Sequence, residues 1–187
     1  GKSILKILAY LHNHDPAIVH RDIKPSNILL MTQPDEKTKV CLVDLGSVKA
    51  LAAKPSNTTI LSLVGDENYM APEQMSGRVV LSSDLYSLGM TLLTLITGME
   101  PGEFPRRGMK IDFDPINSGS AAFTDWLRQM TETNLNKRFA SAGEALEALR
   151  KYSQALVAID TGDRDLGLSL LREAVASAVA IATVILI

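Results

Sequence analysis

The sequence predicts an α+β fold that is mostly helical and contains one small β-hairpin. Apolar residues recur at helical spacing in residues 3–11, 84–97 and 121–131, which is typical of helices that pack against a core. Residues 28–31 and 39–44 are short, β-rich segments on either side of a Gln-Pro-Asp turn, and this pattern predicts a hairpin. The chain has 187 residues and is 46% hydrophobic, so it can bury the core of one domain.

Charge and cysteine content exclude several functional classes. The chain has 19 Lys and Arg against 21 Asp and Glu, and this balance predicts no binding of nucleic acid, which requires a basic surface. Cys41 is the only cysteine, so no internal disulfide can form and we expect a reducing, cytoplasmic location. We expect Cys41 itself to be buried by packing. His12 and His14 have no carboxylate or cysteine at metal-ligand spacing and are expected on the solvated surface.

The elements of the first half follow in order along the chain. A helix is predicted over residues 3–11, and the two hairpin strands come next. The hairpin would place Asn27 and Asp44 at neighbouring strand ends. Residues 47–68 show no sustained period and are predicted to be a long loop, a kind of segment that usually has a function.

The second half is predicted to be helical. Residues 84–97 are apolar nearly all round, which predicts a buried central helix, and Gly98 is expected to end it. Residues 101–119 are rich in Pro and Gly and are predicted to be a connector. Another helix is predicted over residues 121–131, and a Ser-x-x-Glu capping box begins the last one, over residues 142–152.

Two segments have residue types suited to phosphoryl transfer. Residues 20–27 read HRDIKPSN, and residues 44–46 read DLG. They resemble the catalytic loop and the magnesium loop of the protein kinase family, and the Lys-Pro-x-Asn order resembles its serine/threonine branch. The reaction needs a carboxylate at the attacking hydroxyl, a cation near the phosphate and oxygen ligands for Mg²⁺. The resemblance therefore implies ATP and Mg²⁺ as cofactors and protein Ser or Thr hydroxyls as substrates.

The resemblance also implies roles for individual residues. Asp22 would be the base and Lys24 the cation that binds phosphate. Asn27 and Asp44 would bind the nucleotide through Mg²⁺ as its ligands, and His20 would pack beneath the loop as a structural residue. Considered alone, Asp44 could equally end a strand before an ordinary turn, and Asp22 and Asn27 could belong to a solvated turn.

Further motifs follow in the family's order. Residues 71–73 read APE and resemble the segment that closes the activation loop, while Asp84 resembles the start of the family's central helix. The resemblance implies that Glu73 pairs with Arg138. It also implies that Asp84 holds the backbone near Arg21, which is again a structural role.

The similarity covers residues 3–152 and extends to bacterial members of the family, including cyanobacterial ones. It matches only the C-terminal lobe, because the sequence has no glycine-rich phosphate lid, no strand lysine for the α/β-phosphates and no helix glutamate to pair with that lysine. We therefore expect residues 1–152 to form a protein-kinase-like C-lobe without an N-lobe, inactive by itself.

Two residues depart from the family pattern. Leu45 replaces the Phe of the magnesium loop, an exchange of one apolar side chain for another. Asp66 follows Gly65 where the family has a Thr whose hydroxyl bridges the catalytic Asp and Lys. An ionised carboxylate cannot donate a hydrogen bond, so we expect Asp66 to compete for Lys24 and to weaken activity.

The predicted loop over residues 47–68 has candidate regulatory sites. In the family, an Arg at the position of Arg21 pairs with a phosphorylated activation loop, through charge-assisted hydrogen bonds. The candidate phosphosites are Thr58 and Thr59, with Ser56 and Ser62 as further candidates.

Residues 153–187 are predicted to form a tail that is uncharged and almost entirely apolar over its last fourteen residues, 174–187. As a helix these residues rise about 21 Å, less than a hydrocarbon core of about 30 Å. Two interpretations stay open. The run could begin a transmembrane helix that anchors the kinase with its active site facing the cytoplasm, or it could be a terminal helix packed on the domain.

Two rival functions also stay open. A pseudokinase or scaffold would bind a partner through the C-lobe without catalysis. A small-molecule phosphotransferase would share residues like Asp22 and Asn27, but such enzymes lack Lys24-Pro25 and the APE triplet, which favours a protein kinase.

Overall fold

The computed structural model describes residues 1–32, 38–44, 49–50, 65–116 and 120–159. Within these ranges the fold is α+β and mostly helical, as predicted. The helices are α1 (Lys2–His12), α2 (Pro72–Met75), α3 (Leu81–Thr97), α4 (Ala121–Met130) and α5 (Ala142–Ile159). The strands are β1 (Ile18–Val19), β2 (Ile28–Thr32), β3 (Thr38–Leu42), β4 (Lys49–Ala50), β5 (Arg106–Arg107) and β6 (Lys110–Ile111).

Helix α3 forms the centre of the core. All of its residues from 82 to 91 are buried, because its sequence is apolar or small on every face. Helices α4 and α5 contact it, and α1 packs against α5. The helix ends at Gly98, whose φ of 69° is left-handed, a conformation that glycine adopts without a steric cost.

Helices α3 and α4 approach each other closely at Gly89. A Cβ on Gly89 would lie 2.7 Å from Cγ2 of Thr131 and 3.0 Å from Cβ of Met130. Trp126 then joins α4 to α5, because its fully buried indole donates a hydrogen bond to the carbonyl of Ala145 at 2.9 Å. The contact between α3 and α4 therefore requires glycine at position 89, and the contact between α4 and α5 uses the large side chain of Trp126.

The hairpin of β2 and β3 is antiparallel, with Ile28 opposite Leu42 and Thr32 opposite Thr38. Cys41 on β3 is partly exposed, so the expectation that packing buries it is wrong. A two-stranded sheet has little around it to cover both faces, which explains the exposure. The Sγ of Cys41 lies 3.4 Å from Sδ of Met31 on the neighbouring strand.

The expectation of a single hairpin is also wrong, because the described residues contain three two-stranded antiparallel sheets. β4 pairs with β1 from within the predicted loop, and β5 and β6 lie in the predicted connector. These strands have two residues each, too few for an alternating pattern to appear in the sequence. α5 also continues to Ile159, past the predicted end at residue 152.

No helix within the described ranges is long and apolar enough to cross a membrane. Several predictions lie outside the described residues: the apolar run over residues 174–187, and the residues Leu45, Ser56, Thr58, Thr59 and Ser62.

Candidate active site

Asp84, near the start of α3, holds the loop over residues 20–27 through hydrogen bonds to its backbone. The carboxylate of Asp84 is fully buried, and it accepts hydrogen bonds from the backbone N–H groups of His20 and Arg21, each at 2.9 Å. Arg21 has a φ of 72°, which is costly for a residue with a side chain. The two bonds to Asp84 stabilise this strained turn in the chain.

The side chains of His12 and His20 are buried close to Asp84. Nε2 of His12 lies 3.0 Å from Oδ2 of Asp84, so the expectation of a solvated surface residue is wrong for His12. The last turn of α1 brings it to a partner 72 residues away, which no local spacing could reveal. Nε2 of His20 lies 3.2 Å from the carbonyl oxygen of Val43; because a carbonyl only accepts, this nitrogen carries the proton.

Asp22 has a nearly buried carboxylate, with 7% of the residue exposed. Its Oδ1 accepts from the backbone N–H of Asp66 at 3.0 Å, and its Oδ2 accepts from Nδ2 of Asn27 at 3.0 Å. The same Nδ2 is 2.8 Å from the backbone oxygen of Asp22. Both carboxylate oxygens are therefore held in place by donors from separate parts of the chain.

Lys24 places its ammonium within 4 Å of two carboxylates. Its Nζ lies 3.4 Å from Oδ2 of Asp22 and 3.9 Å from Oδ2 of Asp66. The side chain of Lys24 is 24% exposed, so it can still reach an incoming anion. The arrangement puts one cation beside the carboxylate that the sequence predicts as the base.

Asn27 and Asp44 are suited to hold a Mg²⁺ ion. The N–H of Val43 donates to the backbone oxygen of Asn27 at 2.9 Å, and this contact places Asp44, one residue on, at the same end of the hairpin. Asn27 uses its amide nitrogen on Asp22, which leaves Oδ1 as the atom able to coordinate. Mg²⁺ is usually bound by one or two carboxylates or carbonyls together with waters and substrate phosphates, so these two oxygen donors fit.

Gly65 and Gln74 also contact the loop that contains Asp22, although the motifs assigned neither of them a role. Nε2 of Gln74 donates to the backbone oxygen of Arg21 at 2.9 Å. A Cβ on Gly65 would lie 2.7 Å from that same oxygen, and Gly65 also has a φ of 117°. Glycine is therefore needed here for two reasons, and the segment that follows Gly65 packs directly on the loop that contains Asp22.

Glu73 and Arg138 form a buried ion pair with two short contacts, of 2.7 and 3.1 Å. The Arg138 guanidinium also lies over the ring of Tyr86, 5.0 Å from its centroid. Burial by itself raises the pKa of Glu73, but the hydrogen bonds and charge of Arg138, with help from the hydroxyl of Ser83, hold that pKa below its ordinary value. Glu73 is therefore ionised at neutral pH.

Comparison with known proteins shows the family of this chain. The family model described as a protein kinase domain matches residues 1–151. A serine/threonine-protein kinase B from Synechocystis is 37% identical over 155 residues, covering 78% of this chain and 26% of the relative. The serine/threonine-protein kinase PknA of Nostoc is 36% identical over 155 residues, covering 79% of this chain and 27% of the relative.

The chain spans about a quarter of the length of these curated relatives. A further cyanobacterial relative, serine/threonine-protein kinase D from Synechocystis, is 33% identical over 154 residues and 79% of this chain. The match of the family model over most of the chain, with relatives of this identity, shows that the chain belongs to the protein kinase family, among kinases of the serine/threonine type.

Proposed function

We propose that this chain is the C-terminal lobe of a serine/threonine protein kinase, which transfers the γ-phosphate of ATP to protein Ser or Thr hydroxyls when an N-lobe completes the nucleotide site. The observation that supports this most directly is the carboxylate of Asp22. Two donors fix it, and the ammonium of Lys24 lies 3.4 Å away. A fixed carboxylate beside a cation is the arrangement that activates a hydroxyl next to a phosphate.

In the proposed reaction, Asp22 accepts the proton of the substrate hydroxyl. The hydroxyl oxygen forms a bond to the γ-phosphorus, and the bond between that phosphorus and the β–γ bridging oxygen breaks to release ADP. Lys24 stabilises negative charge on the transferred group. Since positioning and charge stabilisation supply most of the catalysis in this reaction, the rigid hold on Asp22 is its main structural requirement.

The nucleotide would bind with Mg²⁺ at Asn27 and Asp44, whose oxygens are at one end of the hairpin. When bound, the ion would neutralise phosphate charge. This chain supplies only part of the nucleotide site under the proposal, and the apolar surface of β2 supports that interpretation. Leu29, Leu30 and Met31 are 44%, 47% and 54% exposed. Because neighbouring side chains of a strand point to opposite faces, β2 exposes apolar side chains on both faces, and such exposure is a sign of a binding surface.

The sequence also supports a site of regulation and a site of membrane attachment. We propose that phosphate on Thr58 or Thr59 pairs with Arg21, and that the apolar run over residues 174–187 attaches a cytoplasmic kinase to the membrane. Phosphosite mapping of active protein and membrane fractionation of cells that express the full-length protein test these two points separately.

The substitution Asp22→Asn in the full-length protein tests the proposed activity. Asn keeps the size of the side chain but cannot accept the proton, so we expect phosphorylation of a Ser/Thr peptide library to fall about 10²- to 10⁴-fold. ATP affinity, measured by titration calorimetry, should change little. Asp15→Asn is the matched control, since Asp15 is exposed, and it should leave the rate unchanged.

The same experiment separates the rival functions. If the wild-type protein binds Mg²⁺ and ATP but transfers no phosphate, the proposed kinase activity is contradicted and a pseudokinase is favoured. Transfer that survives Asp22→Asn would contradict the role of Asp22 as base.

A further inference from the structure

We propose that Asp66 is a positioning residue that holds Lys24 beside Asp22 by charge. This inference rests on the proposed function, because it assigns Asp66 a part in the same reaction. It also differs from the expectation that Asp66 weakens the site by taking Lys24 away.

Asp66 contacts both residues of the pair, through two different groups. Its backbone N–H donates to Oδ1 of Asp22 at 3.0 Å, and its carboxylate lies 3.9 Å from Nζ of Lys24. One residue therefore connects the carboxylate and the cation. A shift of Asp66 would move both of them relative to an incoming hydroxyl.

The carboxylate of Asp66 is itself fixed. Its Oδ1 accepts from the backbone N–H of Asn68 at 3.1 Å, which closes a local turn. On the other side, Gly65 packs on the backbone oxygen of Arg21 and would not tolerate a Cβ. The negative charge therefore stays at one place instead of moving freely in solvent.

The distances indicate that charge, rather than one hydrogen bond, keeps Lys24 in place. Its Nζ lies 3.4 Å from Asp22 and 3.9 Å from Asp66, both longer than the usual N–H···O separation of about 2.9 Å. Lys24 stays nearer to Asp22, so Asp66 adds a second attraction to the ammonium without replacing the first. Two fixed negative charges limit how far the ammonium can move.

A Lys24 held in this way would stay beside the proposed base, within reach of the transferred phosphate. Without the charge of Asp66, the flexible side chain of Lys24 would sample more positions. Misplacement by about 1 Å in such a site can cost up to about 100-fold in rate. Asp66 would then affect the rate of transfer more than the binding of ATP.

Asp66→Asn is the decisive variant, because Asn keeps the backbone N–H and an oxygen for the turn to Asn68 but removes the charge. Glu67→Gln is the matched control, since Glu67 is the exposed neighbour. The first readout needs no catalysis: acetylation of Lys24 by acetic anhydride in the full-length protein, quantified by mass spectrometry against the exposed Lys6. We expect Lys24 to react about three- to tenfold faster in Asp66→Asn, the effect of one charge at this distance when water screens it, and to be unchanged in Glu67→Gln.

The second readout is steady-state kinetics of the same variants. We expect kcat to fall about three- to tenfold in Asp66→Asn with an unchanged KM for ATP, and no change in Glu67→Gln. Equal unfolding free energies would show that the loss does not arise from folding. A lower KM for ATP or a higher kcat would overturn the proposal, because Asp66 would then compete with phosphate for Lys24.

The two readouts separate this inference from the proposed function. Unchanged acetylation of Lys24 in Asp66→Asn overturns the role of Asp66, whatever the activity. Faster acetylation of Lys24 in Asp66→Asn than in wild type, together with no phosphate transfer by the wild-type protein, would support the placement of Lys24 by Asp66 and contradict the kinase activity.

Discussion

At the scale of single residues, Asp84 determines the shape of the loop that contains Asp22. Its two oxygens accept from His12, from the N–H of His20 and from the N–H of Arg21. A buried carboxylate is stable only when such partners replace its lost hydration. Each partner of Asp84 therefore contributes to the stability of the strained turn at Arg21.

His12→Ala should lower the free energy of unfolding by about 1.5 to 3 kcal/mol, the usual contribution of a hydrogen bond to a charged group. The substitution removes one partner of Asp84 and leaves a small cavity. Urea titration measures the change. His14→Ala is the control, because His14 is exposed, and it should stay within about 0.5 kcal/mol of wild type. Equal stability of the two variants would contradict the role of His12.

The sequence indicated only some of the residues that form the site. The motifs named Asp22, Lys24 and Asn27, and the structure has these three in contact. They did not indicate His12 or Gln74, because each acts through one contact to a residue far away in the chain. Local spacing has no information on such contacts, which depend on how the helices pack.

At the scale of elements, helix α3 shows what a periodic pattern can and cannot predict. Residues 84–97, which are apolar nearly all round, predict a buried helix without any knowledge of its neighbours. The pattern does not predict the distance between α3 and α4, because that distance depends on the contact of Gly89 with Met130 and Thr131. The two-residue strands were missed for the same reason: they depend on a partner rather than on their own sequence.

Gly89→Ala should destabilise the protein by about 1 to 3 kcal/mol, the cost of overpacking a close contact. Ala favours helices more than Gly does, which would stabilise the variant. A loss of stability would therefore come from the close contact with α4. Gly143→Ala, in the first turn of α5, is the matched control. A Cβ there meets only Oγ of Ser141, at 3.8 Å, and we expect no loss or a gain of up to about 1 kcal/mol. Thermal or urea unfolding measures both variants, and an equal change in unfolding free energy for the two would contradict the role of Gly89.

At the scale of the whole molecule, the ion pair of Glu73 and Arg138 joins two parts of the chain that are 65 residues apart in sequence. Arg138 also donates to the backbone oxygens of Ser82 and Glu132. The segment that begins α2, the start of α3 and the region after α4 therefore meet at one guanidinium. The sequence suggested the pair through a family resemblance, but the surrounding carbonyl contacts required the structure.

Stability should depend on this pair in a pH-dependent way. The folded protein holds the pKa of Glu73 below its ordinary value of 4.5, so the pair stabilises the fold above that pH. The contribution is lost as the pH falls below 4.5 and through the pKa of the folded protein. The difference in unfolding free energy between wild type and Glu73→Gln should therefore shrink from pH 7 to acidic pH. Glu147→Gln, an exposed control, should show no such convergence.

Trp126 has a practical consequence for these measurements. It is the only tryptophan in the chain and is fully buried, with its ring stacked on Phe123 at a centroid distance of 5.7 Å. An indole in so apolar a setting emits at short wavelength, and its emission moves to longer wavelength once water reaches it. The protein therefore contains its own fluorescent reporter of unfolding, placed where α4 meets α5.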